Sequence, residues 1–276
     1  MATSAALAIA QSEPVRERSG DALPPELEGV DVTEKLGAKV PGQLSFTTDQ
    51  GRKVNLGDLI GPDRPVLLTF NYSNCPLLCS VQLGGVTQAM AGMRRTLGST
   101  FRVVTVVLDP KETPASARET KLKYLEQLRA ARKALELPAG DPAEADAAWT
   151  FLVGQDRDIK SLAKSVGFGY EYHPGRKEYL HPAVFMMITP TGRVAQYVYG
   201  VHFEPGMVEG AIAAAAMDVT SESTQNFILS CYHYEAPEGL NAFLIMKIAG
   251  IVFAILLVLV LGGIHLRSRL SRRPAV

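Results

Sequence analysis

The chain has 276 residues, 47% of them hydrophobic, with 28 Lys+Arg against 28 Asp+Glu and a formal net charge of zero. That balance lacks the basic surplus with which nucleic-acid-binding proteins hold phosphate, so no nucleic-acid partner is expected. The length suits one ordinary globular domain plus additional segments. With only three cysteines, Cys75, Cys79 and Cys231, the chain is neither a disulfide-built scaffold nor the carrier of a four-ligand structural zinc site. Two close thiols and one distant one point to chemistry rather than stapling.

The start, MATSAALAIAQSEP, contains an Ala8-Ile9-Ala10 stretch like a signal-peptidase site, but it has no basic leading region and its apolar run is short. It reads either as a signal remnant or as an unstructured beginning. Residues 11–40, rich in Pro, Gly and charge, read as an extended lead-in, so residues 1–39 are taken as a flexible segment.

The globular domain is expected over residues 40–220. Leu44 to Leu56 alternates around Asp49-Gln50-Gly51 and predicts a β-hairpin. Pro65 to Tyr72 is a continuous apolar run suited to a buried strand, followed by a helical pattern from about Cys79 to Leu97. Arg102 to Leu108 is a second buried strand rich in β-branched residues. A charged amphipathic helix is expected over residues 114–136, with Pro114 in its first turn, then a loop from Pro138 to Ala147. Trp149 to Val153 reads as a short strand and Asp156 to Val166 as a helix. Ala183 to Ile188 and Val194 to Tyr199 read as strands joined at Thr189 to Arg193, and Pro205 to Met217 as the last helix. This alternation predicts an α/β fold with a largely parallel sheet covered on both faces, ending in an antiparallel hairpin. A β-α-β unit followed by β-β-α is the thioredoxin arrangement, here with an N-terminal hairpin added.

Beyond a juxtamembrane linker at residues 221–242, a transmembrane helix is expected over residues 243–266. Its stretch from Ile248 to Leu266 has no Asp, Glu, Lys or Arg and matches the thickness of a bilayer core. Lys247 stands at the entry edge, where it can snorkel. Arg267, Arg269, Arg272 and Arg273 follow the span, whereas Glu235 and Glu238 precede it. The positive-inside rule then places the basic tail, residues 267–276, in the cytoplasm and the large N-terminal part outside. The expected location is a single pass in the cell inner membrane, with lipid as one partner and the main domain facing the periplasm or the outside.

The run Asn74-Cys75-Pro76-Leu77-Leu78-Cys79-Ser80 sits between the first central strand and a helix. Two cysteines four apart share one helical face, and a helix N-terminus stabilises thiolates. Such a pair suits redox work or a soft metal such as Cu(I); a plain disulfide or two buried thiols would need no further partner. Thioredoxin-type redox sites place two residues between their cysteines, and the three here suit chelation by both sulfurs without excluding a disulfide. A metal would need a third donor, and His181, directly before the strand at residues 183–188, is the best candidate among five histidines. Pro182 falls where thioredoxin-like proteins carry a cis-proline.

These features resemble the Sco/SenC family, the copper chaperones of cytochrome c oxidase assembly. The resemblance rests on NCPLLC at residues 74–79, on Leu108-Asp109-Pro110 with Thr113-Pro114, and on Tyr179-Leu180-His181 leading to Ile188-Thr189-Pro190-Thr191-Gly192. It spans about residues 40–217. It implies that Cys75, Cys79 and His181 bind Cu(I) or Cu(II), that Cys75 and Cys79 cycle between thiols and a disulfide, and that the recipient is the dinuclear copper site of cytochrome c oxidase subunit II or a similar acceptor. It also implies a reductase activity toward that site's cysteines. Asp109 resembles a family acid near the metal; a strand-end turn residue before Pro110 is the other reading. Two departures stand out: Pro follows His181 where the family commonly has Ser, and the anchor is C-terminal rather than N-terminal.

An extracytoplasmic thiol–disulfide oxidoreductase is the alternative. A peroxidase would favour T-x-x-C, but Tyr72 stands at that position. Met90, Met93, Met186 and Met187 read as core, His173 and His202 as loop residues, and Lys111, Glu112 and the basic residues of 118–133 as a solvated helix face. Cys231 and His233, just before the span, form either a second copper-relay point or an ordinary linker thiol and imidazole. If they relay copper, Cys231→Ser changes copper stoichiometry or transfer, as read by metal analysis; unchanged values dispose of the relay.

Overall fold

The computed structural model describes residues 29–61, 63–73 and 78–221, and for residues 78 and 79 the backbone alone. The expected transmembrane span, Cys231, His233 and Cys75 lie outside the described residues. Among those described, no helix is long and apolar enough to cross a membrane.

The apolar runs build the middle of one sheet. β3 (Val66–Asn71) is buried along its whole length. It runs parallel to β4 (Arg102–Val107), pairing Val66 with Arg102 through Asn71 with Val107. β5 (Trp149–Val153) extends the parallel set beside β4. The hairpin of β1 (Ser45–Thr48) and β2 (Lys53–Asn55) attaches antiparallel to β5. On the other side β8 (Val184–Ile188) pairs antiparallel with β3, and β9 (Val194–Tyr199) with β8. The full order is β2-β1-β5-β4-β3-β8-β9.

Helices α1 (Leu78–Gly92), α2 (Pro114–Ala134), α3 (Pro142–Ala148), α4 (Asp156–Ser165) and α5 (Pro205–Ala216) complete the set. Strand residues alternate between two apolar cores. Leu67, Val103, Phe151, Phe185 and Val198 pack with α1, α2 and α5. Leu68, Phe70, Val104, Leu152, Met186 and Tyr197 pack with Ile159 and Leu162 of α4. Covering both faces in this way is what the unbroken apolar runs require. Met90, Met93, Met186 and Met187 are core residues, at 2%, 1%, 0% and 0% exposed. The lone tryptophan is satisfied between strands: Trp149 Nε1 donates to Thr105 Oγ1 at 2.9 Å, which also accepts from Thr69 Oγ1 at 2.8 Å.

Several expectations are corrected. The loop at 138–147 contains α3, which Asp141 caps by accepting from the Ala143 N–H, with Pro142 in the first turn. His173 is not in a loop: it ends β6 (Glu171–His173), which pairs with β7 (Glu178–Leu180) in a small separate sheet. α1 stops at Gly92 rather than near Leu97. There the Arg132 guanidinium donates to the carbonyls of Met90, Ala91 and Met93 at 3.1, 3.2 and 2.9 Å, capping the helix end. The described part of the expected lead-in, residues 29–40, is tied to the domain by bridges from Val32 to Phe168 and Lys39 to Arg193.

The basic residues of α2 are not all solvated. Lys121 and Arg132 are 1% and 2% exposed. Lys121 Nζ lies 3.1 Å from Asp49 Oδ2 and 3.1 Å from Asp146 Oδ1, and Arg118 reaches the same two carboxylates. Asp49 also accepts the Phe151 N–H at 3.2 Å. This network locks the turn of the β1–β2 hairpin to α2, α3 and β5. Removing one member of a buried ion pair strands the other. Asp49→Ala is expected to destabilise the domain by about 3 kcal/mol, the lower end for a broken buried pair because Asp146 still faces Lys121; urea denaturation measures it.

Candidate metal centre

Three elements converge at the C-terminal ends of β3 and β4. β3 ends at Asn71 and passes through Tyr72 and Ser73 into the NCPLLC run, at whose last two residues the α1 backbone begins, from Leu78. β4 ends at Val107 and passes through Leu108 to Asp109. β7 ends at Leu180, directly before His181, and β8 begins at Val184.

His181 is fully buried, at 0% exposed. Its ring lies 6.4 Å from the Tyr72 ring, nearly perpendicular at 80°, and 6.0 Å from the Phe168 ring. The antiparallel pairing of β8 with β3 explains the placement, because Leu68 opposite Met186 directs residues before Val184 toward the end of β3. The imidazole therefore stands beside Tyr72, three positions before Cys75. His181 Nδ1 lies 3.1 Å from the Pro182 carbonyl oxygen. A carbonyl only accepts, so in that contact Nδ1 is the donor. No peptide bond among the described residues is cis, so the bond before Pro182 is trans, contrary to the thioredoxin-type expectation.

Asp109 meets the turn reading given to it. Its Oδ1 accepts the Lys111 N–H at 2.9 Å, a turn contact. Its carboxylate also stands close enough to the Tyr179 phenol to raise its pKa. The Tyr179 ring lies 5.5 Å from the Tyr72 ring. Burial, first, and then the Asp109 and Asp156 carboxylates push the Tyr179 phenol up to about 12.

Glu112 was read as part of a solvated face; instead it holds the start of the cysteine corner. Its Oε1 accepts the Ser73 N–H at 2.6 Å and its Oε2 the Ser73 hydroxyl at 2.5 Å. Thr120 Oγ1 donates to Ser73 Oγ at 2.8 Å, and Ser116 Oγ reaches Glu112 at 3.3 Å. Residues 112, 116 and 120 recur at helical spacing, so α2 and its cap present one polar line to Ser73. A sequence signal existed in that period of four, but its partner lies 39 residues earlier in the chain.

Among the described residues no group of three His, Cys, Asp or Glu is placed to hold a metal. The expected set draws two of its members from Cys75 and the Cys79 side chain, which lie outside the described atoms. Glu112→Ala removes the acceptor of a half-buried backbone donor and is expected to cost about 1–3 kcal/mol in urea unfolding, whereas Glu112→Gln retains one acceptor and costs less.

A family model for SCO1/SenC matches residues 32–216, more than half of the chain. No curated protein matches it. Among solved structures, a candidate electron transfer protein from Aquifex aeolicus VF5 is similar at 21% identity and a TM-score of 0.54, covering 66% of this chain and 95% of that one. Arabidopsis thaliana ScoI, solved with copper bound, is similar at 19% identity and a TM-score of 0.49, covering 65% and 99%. BsSco, described as a member of the Sco family of cytochrome c oxidase assembly proteins with a disulfide switch, is similar at 17% identity and a TM-score of 0.48, covering 67% and 98%. The Aquifex likeness shows the shared fold, the mixed α/β sheet expected for a thioredoxin-like domain. With its matching family model, the chain belongs to the SCO1/SenC family.

Proposed function

We propose that this protein is a copper chaperone whose Cys75, Cys79 and His181 bind one copper ion and pass it to the dinuclear copper site of cytochrome c oxidase subunit II or a similar acceptor. One observation carries the reading: the buried His181 ring stands beside Tyr72, at the strand end from which the CPLLC run departs. Family membership supports the cargo, as do the copper-bound ScoI and the oxidase-assembly role of BsSco.

The donor chemistry fits copper. Thiolates are soft ligands and imidazole is a borderline one, a combination that holds Cu(I) in three-coordinate form and accepts Cu(II) with an added water. The start of α1 favours thiolate at Cys79. Packing of His181 against Tyr72 and Phe168, with Nδ1 on the Pro182 carbonyl, supports a fixed orientation of the ring. The ligands bind copper deprotonated, so affinity falls as pH is lowered. A disulfide between Cys75 and Cys79 removes both sulfurs at once and ties loading to redox state. The same chemistry permits reduction of an acceptor's cysteines.

The apolar stretch from Ile248 to Leu266 tethers the domain to the inner membrane as a single pass, with the copper domain on the periplasmic or outer side and the basic tail in the cytoplasm. The reduced full chain is expected to retain one copper per chain when copper and zinc are offered together. Cys75→Ser abolishes retention. His181→Ala weakens it by more than the roughly 10–100-fold that loss of an outer-shell contact brings. Metal analysis checks all three; equal copper in Cys75→Ser refutes the site. A well-defined disulfide midpoint with no copper retained assigns the protein to thiol–disulfide exchange instead.

A further inference from the structure

The end of α4 commits the residues that follow it. Gly167 has φ +65°, a left-handed conformation that glycine adopts without strain. Its N–H donates to the Lys164 carbonyl at 3.3 Å, and the Phe168 N–H donates to the Ala163 carbonyl at 2.9 Å. This is the Schellman pairing, in which the residue after the glycine makes an apolar contact with the helix end. Phe168 is buried, and its ring stacks on Phe70 at 4.4 Å and 19°. The same ring lies 6.0 Å from the His181 ring, tilted by 34°.

Part of the lead-in closes over this turn as a strap. The Thr33 N–H donates to the Gly167 carbonyl at 2.9 Å, and the Gly169 N–H donates to the Asp31 carbonyl at 2.8 Å. Both neighbours of Phe168 are therefore bonded to the strap. The approach is too close for side chains: a Cβ on Gly167 would stand 1.8 Å from the Thr33 carbonyl oxygen, and one on Gly169 would stand 2.3 Å from the Gly29 carbonyl oxygen. β9 holds the strap from its other side. The Tyr199 hydroxyl donates to Glu34 Oε1 at 2.7 Å. The Tyr197 hydroxyl accepts the Lys35 N–H at 2.8 Å and donates to the Val166 carbonyl at 2.8 Å. Residues 31–35 add no helix and no strand to the seven-stranded sheet. Ordering such a segment costs backbone entropy, and what it fixes is the turn that carries Phe168.

We propose that residues 31–35 are a positioning strap for the His181 imidazole and act on it through Phe168. Protein interiors are close-packed, so a ring that shifts moves its neighbours. With the strap seated, Phe168 forms one wall of the imidazole's surroundings and Tyr72, 6.4 Å away, forms another. With the strap displaced, the turn at residues 167–169 loses its outer bonds, Phe168 moves, and the imidazole is free to turn. Phe168 is a positioning residue: it offers no donor to an ion and works by holding a residue that does. The consequence for copper rests on the chaperone reading; the placement of the ring does not.

The test uses the full chain with Phe168→Leu, which keeps apolar bulk but removes the ring, and Gly169→Ala, which leaves Phe168 intact and forces the strap off the turn. Asp49→Ala, whose contacts lie with α2 and β5, controls for a general loss of stability. In the metal-free protein, nuclear Overhauser contacts between the His181 and Tyr72 rings are expected in wild type and in Asp49→Ala and are expected to be lost in both strap variants. Copper retention is expected to weaken about 10–100-fold in those two variants, as on loss of an outer-shell contact, and to keep its wild-type value in Asp49→Ala. Wild-type ring contacts and wild-type copper retention in both strap variants overturn the proposal, as do changes of equal size in Asp49→Ala. If one strap variant fails to fold, the other decides. A wild type that retains no copper, with the ring contacts still lost in the strap variants, defeats the chaperone reading and upholds the strap.

Discussion

The antiparallel pairing of β8 with β3 is the constraint on which the site depends. Val66 lies opposite Ile188, Leu67 opposite Met187 and Leu68 opposite Met186. β8 thus runs away from the end of β3, and the residues before Val184 are delivered to the strand end that leads into Cys75. His181 reaches Tyr72 for this reason alone, across more than a hundred positions of chain. A slip of one residue would send Met186 and Met187 to the opposite cores and turn the segment before β8 over. Burial of both methionines at 0% exposure makes such a slip expensive, so core packing fixes where the imidazole stands.

The polar groups around the corner are engaged rather than idle. Glu112 is committed to the Ser73 backbone and hydroxyl. Asp109 is committed to the Lys111 N–H. Carboxylates held in this way are poor competitors for a soft ion, which leaves the field to sulfur and imidazole. They also tie the site to α2, whose other face is held by the Asp49, Lys121 and Asp146 contacts. One helix therefore couples the hairpin at one edge of the sheet to the cysteine corner near its centre.

Much of the framework was legible because it rests on periodicity. The unbroken apolar runs of β3 and β4 announced strands buried on both faces, and Pro114 and Pro205 marked helix starts that the structure places at the same residues. Short or half-exposed elements escaped: β6 and β7 have three residues each, too few to show a period, although the Pro174-Gly175 pair between them signalled a turn. α3 was missed despite Asp141-Pro142, a capping signal inside a polar stretch. The buried Lys121 and Arg132 could not be read from α2 alone, since what makes their burial tolerable is Asp49, 72 residues away, and the carbonyls at the end of α1. The position of His181 before a strand was readable, whereas the Glu112 clamp emerges only when helices and strands are assembled.

The central claim is that two sulfurs and one imidazole share one ion. X-ray absorption at the copper edge of the reduced, copper-loaded full chain tests it most directly. The account predicts a first shell of two sulfurs and one nitrogen around Cu(I). A shell of nitrogen and oxygen alone, or of sulfur with no imidazole scattering, would contradict it.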